Sequence, residues 1–121
     1  MQTKHGSLEC AILNSLWMLE INGNYAHTVK DVYKSINENN EDTRAYTTIK
    51  TVLDRLHEKR LVLRYKQDKK FVYRTTQSKI DFLSNSLKIM ADRFCDGNLA
   101  ELTNILNNVI NIENTKYELI G

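Results

Sequence analysis

Apolar residues recur every three or four positions through most of this chain and every second position through one short stretch, so helices and a single hairpin are predicted. In 7–20, Leu8, Ala11, Ile12, Leu16 and Leu19 step at helical spacing behind Ser7 as the N-cap. Ile21-Asn22-Gly23-Asn24 ends that helix, because Gly23 can take the left-handed backbone that closes one. Tyr25, Ala26 and His27 read as a brief extended piece. Thr28 caps a second helix with Asp31 as its acid partner, and Val29, Val32, Tyr33 and Ile36 form the apolar face. A polar connection over 38–43 leads to a third helix over 45–59, with Tyr46, Ile49, Val52, Leu53 and Leu56 inward.

The period then changes to two. Leu61, Leu63 and Tyr65 alternate with Val62 and Arg64, and Phe71 and Tyr73 alternate with Val72 and Arg74, as in a half-buried hairpin. Its predicted tip is the cationic run Lys66-Gln67-Asp68-Lys69-Lys70. Beyond it Ile80, Leu83, Leu87, Met90 and Phe94 form one helical stripe, and Leu99, Leu102, Leu106 and Val109 form another. Asp96-Gly97-Asn98 separates them. The order describes a mainly α chain with a small β-hairpin. We expect a winged helix-turn-helix head over 1–76 and helices over 77–121.

Composition narrows the function. Hydrophobic residues are 41% and charged ones 26% of 121, the ordinary globular range for one domain or one with an appendage. Proline is absent and there are four glycines, which disfavours a loop-rich β domain or a glycine-lined phosphate site. Apolar runs are too short for a membrane span, and MQTKHGSLEC lacks the pattern of a secretory signal. Cys10 and Cys95 are too far apart in sequence to suggest a disulfide framework or a metal pair, so a cytoplasmic location is expected. Cys10 is expected in the core and Cys95 half-exposed at a helix end. His5, His27 and His57 stand in unlike contexts without metal-ligand spacing, and no phosphate-binding glycine motif is present. Neither catalysis, nor a cofactor, nor a metal is expected.

Charge is uneven. From 44 to 74 ten Lys/Arg face Asp54, Glu58 and Asp68, a balance of +7, whereas 77–121 carries four basic and six acidic residues. A basic middle suits a polyanion. In a helix-turn-helix the second helix of the pair enters the major groove. Here Thr47, Thr48, Lys50 and Thr51 would face base edges, while Arg44, Arg55 and the lysines Lys66, Lys69 and Lys70 would neutralise phosphates. Exposed threonines are common on any helix, so weight comes from the threonine-lysine face and the cationic hairpin occupying one stretch. The C-terminal stripes need cover, and a second copy of the chain is the expected one.

The string RAYTTIKTVLDRLHEKRLVLRYKQDKKFVYR, with its AYTT-x-x-T-x-x-x-RL core, resembles the signature of the BlaI/MecI/CopY penicillinase-repressor family. GSLECAILNSLWMLE is similar to that family's first helix and FCDGNLAELTNIL to its later turn and last helix. The resemblance implies a homodimeric repressor whose two heads read a palindromic operator in double-stranded DNA. It places Leu87, Met90, Phe94, Leu102 and Leu106 at the subunit interface, to which the same apolar stripes add Leu83 and Val109. Antibiotic-sensing members are cut by a sensor protease in the last helix between asparagine and phenylalanine; the similar pair here is Asn104-Ile105, so half of it is kept. Copper-responsive members carry Cys-x-Cys pairs near the C-terminus, and this chain has none. The family usually has glycine where this chain has Arg60, which would add a phosphate contact at a cost of about 1 kcal/mol if its backbone is left-handed. Rival readings are a repressor released by a small molecule near the C-terminal helices, a head that docks on another protein, and a thiol switch at Cys95.

Overall fold

The computed structural model describes residues 7–38 and 43–120, with side chains as far as Lys116. Helix α1 spans Leu8–Leu19, and Ser7 Oγ accepts the Cys10 amide at 3.2 Å, as its N-cap position requires. A 3-10 turn over Glu20–Asn22 follows, closed by Gly23 at φ 86°. Helix α2, Val29–Glu38, opens with the expected reciprocal cap: Thr28 N donates to Asp31 Oδ2 at 3.0 Å and Asp31 N to Thr28 Oγ1 at 3.2 Å.

Helix α3 spans Tyr46–Glu58, one residue shorter at each end than its apolar pattern, because Ala45 and Lys59 are its caps. Arg60 N donates to His57 O and Leu61 N to Leu56 O, both at 3.0 Å, with Arg60 at φ 63°. This is a complete Schellman closure built on arginine instead of glycine. Strands β1, Val62–Gln67, and β2, Lys70–Thr75, pair antiparallel with Val62 opposite Thr75 and Gln67 opposite Lys70. His27 pairs with Tyr73 on the other side of β2, through bonds of 3.2 and 2.7 Å. The extended piece before α2 is thus a one-residue third strand.

These elements enclose one core. Ile12 and Leu16 from α1, Val32 from α2, Ile49, Leu53 and Leu56 from α3, and Val62 and Tyr73 from the hairpin have almost no exposed surface. Truncating one of its leucines or isoleucines to alanine removes about 2–5 kcal/mol. Three helices and a hairpin in this order make a winged helix. The hairpin is the wing.

The chain divides into two compact units, one up to Lys79 and one from Ile80. In the second, helix α4, Lys79–Phe94, and helix α5, Leu99–Ile120, flank a turn in which Asp96 and Gly97 have φ 50° and 78°. Asn98 Oδ1 accepts the Glu101 amide at 3.3 Å and caps α5. Among the described residues of this unit, Ala91 and Cys95 are buried, while Leu83, Leu87, Met90, Phe94, Leu106 and Val109 are exposed.

Three expectations need correction. Cys10 is exposed, since it lies roughly 200° around α1 from both Leu8 and Ile12. Cys95 is buried, one helical turn beyond Ala91. Tyr46 is 46% exposed: it begins α3 and packs at a tilt against Tyr33, ring centroids 5.8 Å apart, outside the core.

Candidate nucleic-acid interface

The outward side of α3 is polar throughout. Thr47, Thr48, Lys50, Thr51 and Arg55 are exposed, while Ile49, Val52, Leu53 and Leu56 hold the helix from within. Thr47, Lys50, Thr51 and Asp54 fall at i, i+3, i+4 and i+7, which places them on one face. Thr51 Oγ1 donates to Thr47 O at 2.9 Å, so its proton is already engaged and its methyl and oxygen lone pairs remain for a ligand. Ahead of the helix, Asn37 clamps Arg44 on both sides: Arg44 N donates to Asn37 Oδ1 at 2.8 Å and Asn37 Nδ2 to Arg44 O at 3.1 Å. That clamp fixes where α3 begins relative to α2.

Not every cation on this face is unengaged. Lys59 Nζ sits 2.9 Å from both oxygens of Glu9, and Arg55 Nη1 lies 4.0 Å from Glu9 Oε2. The arginine side chain is still 52% exposed. Lys50 Nζ donates to Asp54 Oδ2 at 2.8 Å. Each such pair is half-exposed on its cationic side and individually weak.

The wing is longer and tighter than its sequence suggests. Residues 66 and 67 belong to β1 and Lys70 to β2, leaving Asp68 and Lys69 as a two-residue turn at φ 51° and 68°. Positive φ at both central residues is the type I′ geometry that continues the twist of two strands. Lys66, Lys69 and Lys70 are all exposed at this end. Register places Arg64 and Lys66 on one side with Phe71 and Tyr73, and Leu63 and Tyr65 on the other with Val72 and Arg74. Arg64 and Lys66 both lie over the Phe71 ring, 4.7 and 5.4 Å from its centroid. Arg74 covers Tyr25 at 4.6 Å, and Tyr65 OH donates to Tyr25 O at 3.2 Å. Cation–π contacts thus stiffen a hairpin too short to be stable alone.

Helix and wing meet at Asp54. Its Oδ1 accepts Tyr73 OH at 2.8 Å and Arg64 Nη1 at 3.1 Å, while its Oδ2 accepts Lys50. Burial alone would push this carboxyl up, but the bonds from Lys50, Tyr73 and Arg64 outweigh it and hold Asp54 below the ordinary carboxylate value. Burial and the Asp54 carboxylate push the Tyr73 phenol well above its own ordinary value. The sequence pattern gives Asp54, Arg64 and Tyr73 no part in the site. Their separations of 10 and 19 positions carry no local signal.

The remaining candidates divide. Arg60 is exposed beside the wing's base, its carbonyl accepting Thr76 Oγ1 at 3.0 Å. Asn104 and Ile105 are exposed within α5, where helical backbone holds their peptide bond out of the extended form that proteases bind. Burial first, and then the Glu101 and Asp96 carboxylates, push the Cys95 thiol up, which leaves it protonated and a poor nucleophile. A groove of about 940 Å3 in the head is lined by α1, α2 and the end of β2. Both oxygens of its buried Glu20 are taken by Thr75, at 2.8 and 2.6 Å. Among the described residues no group of three or more His, Cys, Asp and Glu could hold a metal ion, and no helix is long and apolar enough to cross a membrane.

Two comparisons with known proteins bear on this surface. A family model described as penicillinase repressor matches residues 5–118. A search of curated proteins returned no match.

Proposed function

The chain belongs to the penicillinase repressor family, a family of transcriptional regulators and not of enzymes, and from that premise we propose a homodimeric repressor that binds a palindromic operator in the cytoplasm and blocks polymerase there. The observation that carries this reading is the convergence of the polar face of α3 and the lysine-tipped wing on one carboxylate, Asp54. A helix of this kind enters the major groove while the wing follows the adjacent backbone. Thr47, Thr48, Lys50 and Thr51 read base edges: the Thr47 and Thr48 hydroxyls and the ammonium reach guanine or adenine acceptors, and threonine methyls, that of Thr51 among them, meet thymine. Arg44, Arg55, Arg60, Lys66, Lys69 and Lys70 neutralise phosphates, a sequence-blind role that sets affinity and its salt dependence.

Two-fold symmetry completes the reading. Helices α4 and α5 leave large apolar side chains at helical spacing exposed, and a partner copy of the same helices covers them. Each head then meets one half-site. The division of labour has a direct test by titration with matched and scrambled duplexes. Replacing Lys69 and Lys70 by alanine weakens both duplexes alike and lowers the salt slope by about 0.9 for each phosphate no longer neutralised. Replacing Thr47 or Lys50 changes discrimination between the duplexes, by about 1–3 kcal/mol for each base edge no longer read. Identical behaviour of the two sets would refute the assignment.

A further inference from the structure

Asp54 is an unusual residue to find on this surface. A carboxylate among groups that approach a polyanion repels it, yet Asp54 lies on the same side of α3 as Thr47, Lys50 and Thr51. Its two oxygens have different tasks. Oδ1 is held from the wing, by the fully buried Tyr73 at 2.8 Å and by Arg64 at 3.1 Å, with Arg64 itself pinned over Phe71. Oδ2 takes Lys50 from the helix. Asp54 is therefore fixed by the hairpin, whereas Lys50, 49% exposed in its side chain, is the mobile member of their pair.

Resting on the DNA-reading proposed above, we infer that Asp54 is a specificity-determining positioning residue, which neutralises Lys50 on non-operator DNA and yields it only to an acceptor pair on the correct base. Competing partners decide where the ammonium goes. On an arbitrary duplex, Lys50 can leave Asp54 for a phosphate, but this leaves the Oδ2 oxygen of Asp54 without its partner close to other phosphates. The exchange gains little, so Lys50 stays and contributes no net charge to non-specific binding. On the operator, the O6 and N7 atoms of a guanine sit at a fixed place in the groove and compete for the ammonium. Arg64 and Tyr73 keep Asp54 hydrogen-bonded after Lys50 has gone. Specificity is raised by suppressing the wrong complex, and not by strengthening the right one.

The test uses the full chain, the palindromic duplex that wild-type protein enriches from a random pool, and a scrambled duplex of equal composition. Asp54→Asn keeps an acceptor for Tyr73 and Arg64 but frees Lys50 as a net charge. On the scrambled duplex its salt slope steepens by about one neutralised phosphate, an extra weakening of about threefold between 50 and 200 mM salt. Its discrimination between the duplexes falls, and Lys50→Gln in the same background abolishes the steepening. An unchanged slope, or equal steepening with Lys50 removed, overturns the inference. A wild-type measurement stands beside it: the Lys50 ammonium resonance keeps its position on scrambled DNA and moves on the palindrome. An equal response to both duplexes, moved or unmoved, also overturns it. If wild type enriches no palindrome, the DNA-reading fails first and the role of Asp54 falls with it. Enrichment with an unaltered Asp54→Asn profile refutes this inference alone.

Discussion

Arg60 carries a small, measurable strain. Its φ of 63° lies in the region where an L side chain crowds the following carbonyl, and the Schellman bonds at the end of α3 hold it there. Arg60→Gly stabilises the fold by about 1 kcal/mol, a rise of several degrees in melting temperature; an unchanged or lower midpoint would contradict the strain. Asp54 has a consequence in acid. Its carboxyl lies lower folded than its ordinary 3.8, so the folded state binds the proton less well than the unfolded one. Its stabilisation is fully present above that ordinary value and disappears as pH falls through the folded one. Thermal melts between about pH 5 and pH 2 therefore show a shallower acid decline for Asp54→Asn than for wild type. Parallel declines would mean that the three hydrogen bonds leave its ionisation untouched.

The helices are legible in the sequence because each cap and stripe is local. Ser7, the Thr28-Asp31 pair and Gly23 act within four residues of themselves, and each occupies the place its chemistry predicts. The wing is harder to read. Lys66-Gln67-Asp68-Lys69-Lys70 has no Asn-Gly signal, so it looks like a five-residue tip, yet strand pairing continues until two residues remain. Asp68 tolerates the left-handed backbone, whereas Lys69 at φ 68° holds it against a steric cost. A lysine kept at a position that favours glycine points to a task for its charge. Lys69→Gly accordingly raises the melting temperature while weakening binding to every duplex tested. If stability and affinity rose together, the lysine would have no such task. The helix-to-wing bridge is illegible for another reason: Asp54, Arg64 and Tyr73 come together only when the hairpin folds back on α3.

At the scale of the molecule, the two units have opposite surfaces. The head buries a complete core and displays its basic helix and wing beside scattered apolar side chains, while α4 and α5 bury little and display Leu83, Leu87, Met90, Phe94, Leu106 and Val109. A stripe of this extent is normally covered by another surface. In the proposed dimer, Met90→Asp combined with Leu106→Asp halves the mass measured by light scattering. Affinity for a palindrome then falls by about 10²–10⁴, the avidity of two joined heads, while affinity for a single half-site is kept. A mass unchanged from wild type would place the subunit boundary elsewhere. The central claim is that the face formed by α3 and its wing lies against duplex DNA. Selection by the purified full-length protein from a pool of random duplexes tests this most directly. The account predicts enrichment of a two-fold symmetric sequence whose retention declines steeply with added salt. Retention of no duplex, even at low ionic strength, would contradict it.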